Sequence, residues 1–211
     1  AQRELELLQS CDSSHVLRCT ASVRHADRLW IVTELCEGGS LLDVMLAQRA
    51  PLSEVQVAAA CGGALEGLKH LHARKMLHRD VKAGNLLLTK EGALKLGDLG
   101  ISVQNKSTLA RRMTVIGTPH WLAPEVIASE GGYDKAADIW SLGITALELA
   151  EMWPPYWDIE PVMRALFKVT SAPPPTLAEP GAWTASFAEW LGLCLVKQPH
   201  ERSGVPALLS H

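Results

Sequence analysis

The segment His78-Arg79-Asp80-Val81-Lys82-Ala83-Gly84-Asn85, followed by Asp98-Leu99-Gly100, decides how the rest of the chain is interpreted. It places two acids, a lysine and an amide at spacings that suit phosphoryl transfer to a hydroxyl group. That reaction needs a carboxylate near the attacking oxygen, oxygen ligands for Mg²⁺ and a cation that balances charge on the transferred oxygens. Asp80 can supply the carboxylate, Asn85 and Asp98 the metal ligands, and Lys82 the cation.

The residues between these two motifs support that interpretation. Residues 86–88 and 94–96 are short apolar runs joined by the turn-like residues 90–92, so they predict a small hairpin. A hairpin would bring Asn85 and Asp98 close together at the ends of its strands. Any single Asp here could instead be a turn former or a helix cap, but the whole set in this order argues against that alternative.

The composition predicts a folded, soluble protein of one large domain or two small ones. The chain has 211 residues, 47% of them apolar, and a formal net charge of -3. This balance leaves no polybasic face, so nucleic acid or an anionic membrane is disfavoured as a partner. No apolar run reaches the length of about 18 residues that spans a bilayer, so we expect no membrane insertion.

The cysteines favour a reducing compartment. There are five of them, widely spread and without a C-x-x-C pair, so they predict neither a disulfide framework nor a zinc site. We therefore expect a cytoplasmic protein.

The first third of the chain predicts two lobes joined by a hinge. Residues 1–10 favour a short helix and residues 29–35 a buried strand with an apolar, β-branched centre. The Glu-Gly-Gly-Ser run at 37–40 then breaks the chain, which places a hinge around residues 34–39. A helix is expected over 41–49.

The remainder favours helices. Ser53 and Gln56 form a capping box before a helix that we expect to end near residue 73. Residues 134–152 are apolar on nearly every side, which is typical of a central buried helix, and Asp138 inside it would need a partner. Further helices are expected over 160–169, 184–196 and 203–210.

Three motifs follow the catalytic segment in order: Asp98-Leu99-Gly100, Ala123-Pro124-Glu125 and Asp138-Ile139-Trp140-Ser141-Leu142-Gly143. With them, the chain resembles a eukaryotic protein kinase. Residues 115–125 and the Cys11-Asp12-Ser13 turn are most similar to the sterile-20 group, in particular to the Hippo-type mammalian sterile-20-like kinases. The resemblance runs from residue 1 to 211.

This resemblance implies an α+β, protein-kinase-like fold in one kinase domain. Residues 1–35 would form a partial N-lobe with helix C and strands 4 and 5, and residues 36–211 would form the hinge and a mostly helical C-lobe. The implied cofactors are ATP and Mg²⁺.

The resemblance also implies roles for the motif residues. Asp80 would accept or orient the proton of the substrate hydroxyl, and Lys82 would contact the γ-phosphate. Asn85 and Asp98 would hold Mg²⁺. A lysine two positions after Asp80 is the pattern of kinases that act on serine and threonine. Thr118, which would line the same pocket, also fits that pattern, and tyrosine kinases usually differ at both positions.

A nucleotide site is implied around the hinge. Backbone groups of Glu34 and Cys36 would bind adenine, Ser40 would lie near the ribose, and Leu87 is assigned to the same site. Glu4 matches the glutamate that pairs with a lysine on the preceding strand in kinases.

Further residues are implied to regulate or support the site. Thr114 occupies the position that sterile-20 kinases phosphorylate, and a phosphate there could pair with Arg79. The alternative is that Thr114 is an ordinary loop hydroxyl. Glu125 and Arg202 would form a buried ion pair, and Asp138 would hold the backbone of the catalytic loop.

Some prominent side chains are given no role in the chemistry. His70 and His72 lie two positions apart on the long helix, so we expect solvated positions and no metal site. Four tryptophans are expected to pack and not to form a ligand platform. They are Trp153, Trp157, Trp183 and Trp190.

Two departures from the family pattern bear on activity. The 211 residues contain no glycine-rich phosphate loop and no strand lysine before Glu4, and they stop at His211. From this we expect a truncated domain, weak or inactive as an isolated polypeptide. Leu99 replaces the usual phenylalanine, which should matter little because it is also apolar.

The leading hypothesis is a serine/threonine protein kinase that acts in a signalling cascade. Its partners would be ATP and protein substrates, together with a second copy in a homodimer or an upstream activating kinase. One alternative is a catalytically inactive pseudokinase or scaffold, which the intact set of Asp80, Lys82, Asn85 and Asp98 argues against. Another is a small-molecule kinase, but the long segment that ends at 123–125 favours a protein substrate.

Overall fold

The computed structural model describes residues 11–26, 28–98, 119–128 and 132–211. These residues form a small strand-containing part followed by a helical part, which confirms the α+β class. The elements are β1 (Cys19–His25), β2 (Arg28–Thr33), β3 (Gly39–Ser40), α1 (Leu41–Gln48), α2 (Glu54–Ala73), β4 (Leu86–Leu88), β5 (Leu94–Leu96), α3 (Pro124–Ile127), α4 (Lys135–Glu151), α5 (Val162–Ser171), α6 (Ala185–Cys194) and α7 (Val205–Leu209). Short 3₁₀ turns lie at Ala83–Asn85, Pro119–Trp121, Pro180–Ala182 and Pro199–Glu201.

The first sheet is an antiparallel pair of β1 and β2, in register from Cys19 opposite Thr33 to His25 opposite Arg28. A buried strand was predicted over 29–35. The strand is present as β2, but the prediction that it is buried was wrong. Trp30 is 57% exposed and Val32 49% exposed. In the described part of the chain β2 pairs with β1 in a two-stranded sheet, and an antiparallel pair by itself leaves its apolar side chains accessible to solvent.

The second sheet has the strand order β3-β4-β5 and confirms the predicted hairpin. Leu86 lies opposite Leu96, and Leu88 opposite Leu94. The turn closes through the Thr89 N–H, which donates to the Ala93 carbonyl at 2.9 Å. β3 adds to this sheet because Gly39 pairs with Leu88, so the residues after the hinge lie directly beside the hairpin.

Two long helices form the centre of the helical part. α2 begins at the predicted capping box, where the Ser53 N–H donates to Gln56 Oε1 at 2.9 Å. The N-cap of α4 is Asp134, whose carboxylate accepts from the Ala136 N–H at 2.8 Å. Residues 137–150 of α4 are all buried, which confirms a central buried helix. α2 and α6 pack against it, and so does α1.

The three later helices lie close to the ranges predicted for them. Pro161, Thr184 and Gly204 occupy the N-cap positions of α5, α6 and α7. The helix predicted over 1–10 lies outside the described residues. Among the helices that the structure describes, none has the length and apolarity needed to cross a membrane.

The tryptophan prediction was only partly correct. Trp190 is 8% exposed, and the Trp183 ring lies 5.2 Å from the Phe187 ring. Trp153 and Trp157 stack on each other at 4.8 Å, yet they remain 42% and 51% exposed. Both follow the end of α4, where the chain leaves the core, so each packs on the other at the surface.

Candidate active site

The catalytic loop is attached to α4 through Asp138, which is fully buried. Its carboxylate accepts from the backbone N–H groups of His78 at 3.0 Å and Arg79 at 2.9 Å, and from the Tyr133 hydroxyl at 2.9 Å. Burial alone would raise the pKa of Asp138, but hydrogen bonds from His72 and the loop backbone lower it overall. The buried carboxylate therefore has the partners it needs.

His72 corrects a prediction. It was expected to be solvated, but it is 7% exposed and its Nε2 lies 2.8 Å from Asp138 Oδ2. The reason is the packing of α2 on α4: position 72 shares a helix face with the buried Leu65 and Leu68. That spacing could have identified it. His70 stays partly exposed, with Nδ1 3.2 Å from Arg74 Nη1.

His78 connects the loop to the strand that leads to Asp98. Its Nε2 lies 3.0 Å from the Gly97 carbonyl, while the Asp80 N–H donates to Nδ1 at 3.3 Å. Burial lowers the pKa of His78, which favours the neutral ring that these two bonds require. His78 belongs to the motif, but the spacing of the motif residues does not indicate this positioning role.

Three of the predicted catalytic and metal residues form one cluster. Lys82 Nζ lies 2.8 Å from Asp80 Oδ2. Asn85 Nδ2 donates to the same oxygen at 2.8 Å and to the Asp80 carbonyl at 2.7 Å. Because the nitrogen of the Asn85 amide bonds to Asp80, its oxygen is the atom that can serve as a metal ligand.

Asp98 lies at the neighbouring strand end. The Gly97 N–H donates to the Asn85 carbonyl at 2.8 Å, so the hairpin brings the backbones of Asn85 and Asp98 together. Asp98 is exposed and has a positive φ of 45°. Gly97 allows this approach because a Cβ there would lie 2.5 Å from Leu87 Cδ1. Leu87, assigned to the nucleotide site, thus packs beside the glycine that precedes Asp98.

Glu34 joins three segments at the hinge. Its Oε1 accepts from the Arg18 N–H at 2.7 Å and lies 2.9 Å from Lys95 Nζ. Burial opposes ionisation of Glu34, but these donors lower its pKa overall. Cys36, two residues on, has a thiol whose pKa is raised by burial and by the charge of Glu34, so it is not an activated nucleophile.

Ser40 caps helix α1. Its hydroxyl donates to Asp43 Oδ2 at 2.6 Å and accepts from the Asp43 N–H at 3.1 Å, and the Ser40 N–H donates to Asp43 Oδ2 at 2.9 Å. This is a capping box with aspartate at the third position, a signal present in the sequence and missed. Ser40 is 6% exposed, and its assigned ribose contact stays a prediction.

Glu125 and Arg202 form an ion pair. Arg202 Nη1 donates to Glu125 Oε1 at 2.9 Å, and Nη2 donates to Oε2 at 3.1 Å. The Arg202 side chain is 0% exposed and also donates from Nε to the Val196 carbonyl at 2.9 Å. The pair is therefore buried and bidentate, and it connects α3 to the segment before α7.

Two predicted site residues lie outside the described residues. They are Glu4 and Thr114. Arg79 is described, with its backbone held by Asp138 and a φ of 69°. Its pairing with a phosphate on Thr114 stays a prediction.

Glu148 is a site residue that sequence reasoning missed. Its Oε2 accepts from the Ala83 N–H at 2.9 Å and from Trp121 Nε1 at 2.9 Å, so one carboxylate joins the catalytic loop to the 119–121 turn. It is 3% exposed, and burial raises its pKa to about 7.

Glu148 ends a polar stripe along one face of α4, formed by Asp138, Ser141, Thr145 and Glu148. Ser141 Oγ donates to the Trp121 carbonyl at 2.8 Å, and Thr145 Oγ1 donates to the Val81 carbonyl at 3.2 Å. The spacing of three, four and three residues keeps all four on one face. Polar residues at this spacing, in a helix that is otherwise apolar, were the sequence signal that could have identified Glu148.

Comparison with known proteins agrees with this geometry. Residues 1–211 match the family model described as the protein kinase domain. The chain belongs to the protein kinase domain family. The helical lobe, the small sheets and the loop held by Asp138 are its fold.

The chain is similar to curated members of this family from three animals. It is 49% identical over 210 residues to serine/threonine-protein kinase cst-1 of Caenorhabditis elegans and 48% identical over 209 residues to that of Caenorhabditis briggsae. It is 47% identical over 209 residues to serine/threonine-protein kinase hippo of Drosophila melanogaster. Each comparison covers 99% of this chain, but only 42%, 42% and 31% of the three relatives. These relatives confirm the resemblance to the Hippo-type sterile-20 kinases.

Proposed function

We propose that this protein is a serine/threonine protein kinase that transfers the γ-phosphoryl group of ATP to hydroxyl groups of protein substrates. The observation that carries the proposal is the bonded cluster of Asp80, Lys82 and Asn85 on a loop held by Asp138, with the Asn85 carbonyl accepting from the N–H of Gly97, the residue before Asp98. The relatives named above are serine/threonine-protein kinases, which supports this specificity over tyrosine.

Each residue of the cluster has a role in the transfer. Asp80 would orient the substrate hydroxyl and receive its proton, and Lys82, within bonding distance of Asp80, would contact the γ-phosphate. The carboxylate of Asp98 and the amide oxygen of Asn85 fit Mg²⁺, a cation that prefers oxygen ligands. Mg²⁺ would supply charge neutralisation at the phosphates.

The nucleotide would bind between the hinge and the hairpin. Backbone groups of Glu34 and Cys36 would bind adenine, with Ser40 near the ribose and Leu87 contributing to the site. Glu4 would pair with a lysine that holds the α- and β-phosphates. We also infer a boundary between lobes after residue 35, and the separate sheets on its two sides support it.

Regulation would act through Thr114. A phosphate on Thr114 would add about -1.5 to -2 charge and pair with Arg79. An upstream kinase or a second copy of the protein would add it. The cytoplasm is the expected compartment because all five cysteines are free thiols.

The 211 residues alone are expected to be weak or inactive as an enzyme. They contain no glycine-rich loop, and positioning with electrostatic stabilisation supplies most of the rate in this reaction. The activity test therefore uses the full-length protein.

The decisive experiment compares the full-length protein with its Asp80→Asn variant in a radiolabelled-ATP assay on dephosphorylated casein. We expect Asp80→Asn to lower phosphate incorporation by about 100-fold or more, because it removes the group that orients and accepts the proton. Equal incorporation by both proteins would contradict the proposal and favour a scaffold.

A further inference from the structure

The side chain of Glu34 makes contacts that adenine binding does not explain. Adenine would use only backbone groups at the hinge, yet Glu34 Oε1 accepts from the Arg18 N–H at 2.7 Å and lies 2.9 Å from Lys95 Nζ. The side chains of Lys95 and Glu34 are 12% and 29% exposed. A pair shielded to this degree is screened less by salt than a surface pair.

Lys95 lies in the strand that leads to the metal-binding end of the site. In β5 it pairs with Leu87 of β4, and Asp98 follows three residues later. The pair therefore connects the hinge directly to the hairpin that carries Asn85 and Asp98.

Arg18 connects a third segment to the Glu34–Lys95 pair. Its segment runs along β5, where the Leu17 N–H donates to the Leu96 carbonyl at 2.8 Å and the Leu96 N–H donates to the His15 carbonyl at 2.9 Å. The Glu34 N–H in turn donates to the Arg18 carbonyl at 3.0 Å. The Glu34 carboxylate thus closes a three-way junction of the hinge, the segment before β1 and β5.

A nucleotide at this site would be held at two ends, its base at the hinge and its phosphates, through Mg²⁺, at Asn85 and Asp98. Binding at two ends is tighter when the spacing between them is set before the ligand arrives. We propose that Lys95 is a positioning residue for ATP, whose ion pair with Glu34 sets the hinge relative to the metal-binding hairpin. This inference rests on the proposed kinase function.

A purely structural role of the Glu34–Lys95 pair predicts a different effect of its loss. If the pair only stabilised the hairpin, its loss would lower the free energy of unfolding and leave ATP affinity unchanged. Catalysis after binding should be little affected in either case, because the loop that carries Asp80 and Lys82 is attached to α4 by bonds from His78 and Arg79 to Asp138, which do not involve Lys95.

The test measures Kd for a fluorescent ATP analogue at fixed Mg²⁺, with KM for ATP and kcat, in the full-length protein. We expect Lys95→Met to raise Kd and KM by about 3- to 10-fold and to change kcat by less than about 2-fold. Lys95→Arg keeps the charge and should recover part of the affinity. Lys90→Met is the matched control, because it removes the same charge from the exposed turn of the same hairpin and should bind like wild type.

A double-mutant cycle separates the pair from other effects of Lys95. Lys95→Met introduced into Glu34→Gln should cost little further affinity, because the pair is already broken. Unchanged or tighter binding by Lys95→Met, or full additivity with Glu34→Gln, would overturn the inference. These arms are independent of the Asp80→Asn assay: if wild type shows no Asp80-dependent phosphorylation, the proposed kinase function fails instead.

Discussion

Glu148 links proton uptake to folding inside the helical part. Burial raises the pKa of its carboxyl from the ordinary value of about 4.5 to about 7 in the fold. Between pH 4.5 and about 7, the folded protein therefore keeps a proton on Glu148 that the unfolded chain has lost. Through this residue, the free energy of unfolding is highest below about pH 4.5 and falls as the pH rises to about 7.

Replacing Glu148 by Gln should remove this pH dependence. Gln keeps an oxygen that can accept from the Ala83 N–H and from Trp121 Nε1, but it does not titrate. We expect the decline in the free energy of unfolding between pH 5 and 7.5 to shrink by up to roughly 3 kcal/mol in Glu148→Gln. Urea unfolding at a series of pH values measures it.

The matched control is Glu91→Gln, which removes a carboxylate from an exposed turn and should keep the wild-type pH profile. A Glu148→Gln profile parallel to wild type across this range would show that Glu148 does not carry the dependence.

At the same scale, the sequence predicted the motif residues and the support from Asp138, but not the support from Glu148 and His72. Asp80, Lys82 and Asn85 lie within six residues, so their meeting follows from local chain geometry. Glu148 and His72 became part of the site only because α4 packs against both the catalytic loop and α2.

Two glycines of helix α2, Gly67 and Gly62, differ in how closely other residues approach them. A Cβ on Gly67 would lie 2.6 Å from Leu96 Cδ1 and 2.7 Å from the His15 carbonyl oxygen. A Cβ on Gly62 would meet no atom within 4 Å. Because Gly67 has no side chain, α2 can approach β5 closely. Gly62 faces open space, so no close contact requires a glycine there.

Alanine at these two positions should change stability in opposite directions. Gly67→Ala should lower the free energy of unfolding by about 1–3 kcal/mol, because the backbone oxygen of His15 cannot move aside easily. Gly62→Ala should raise it by roughly 0.5–1 kcal/mol through helix propensity alone. Thermal and urea unfolding of both variants measure this, and a shift of the same sign in the two would contradict it.

Elements with a strong local pattern were predicted well, whereas burial of a strand was not. The β4–β5 hairpin and the starts of α2 and α4 follow from turn and cap residues that act within a few positions. The apolar run of β2 predicted a strand correctly, but what lies on its two faces is decided by the rest of the fold.

Across the whole molecule, the buried Glu125–Arg202 pair connects residues 77 positions apart in sequence. Arg202 also donates to backbone carbonyls at Val196 and Ala136, and its guanidinium lies 5.3 Å from the Trp140 ring centroid. Removing the cation would leave a buried carboxylate with no bidentate partner.

Arg202→Met should therefore lower the free energy of unfolding by about 3–5 kcal/mol. Lys69→Met, which breaks the exposed pair of Lys69 and Glu66, should cost less than about 0.5 kcal/mol. Urea unfolding of both variants provides the comparison. Comparable losses would mean that burial of the Glu125–Arg202 pair is not what makes it important.

By itself, the sequence determined the kinase class, the β4–β5 hairpin, the long helices α2 and α4 and the close spacing of Asp80, Lys82 and Asn85, because these depend on residue types at short, fixed spacings. Only the tertiary structure decided that His72 is buried against Asp138, that Glu148 joins the catalytic loop to the 119–121 turn, and that Glu34 pairs with Lys95. The physical reason is that such contacts join segments far apart in sequence, and packing alone determines which faces meet and which charges lose their water.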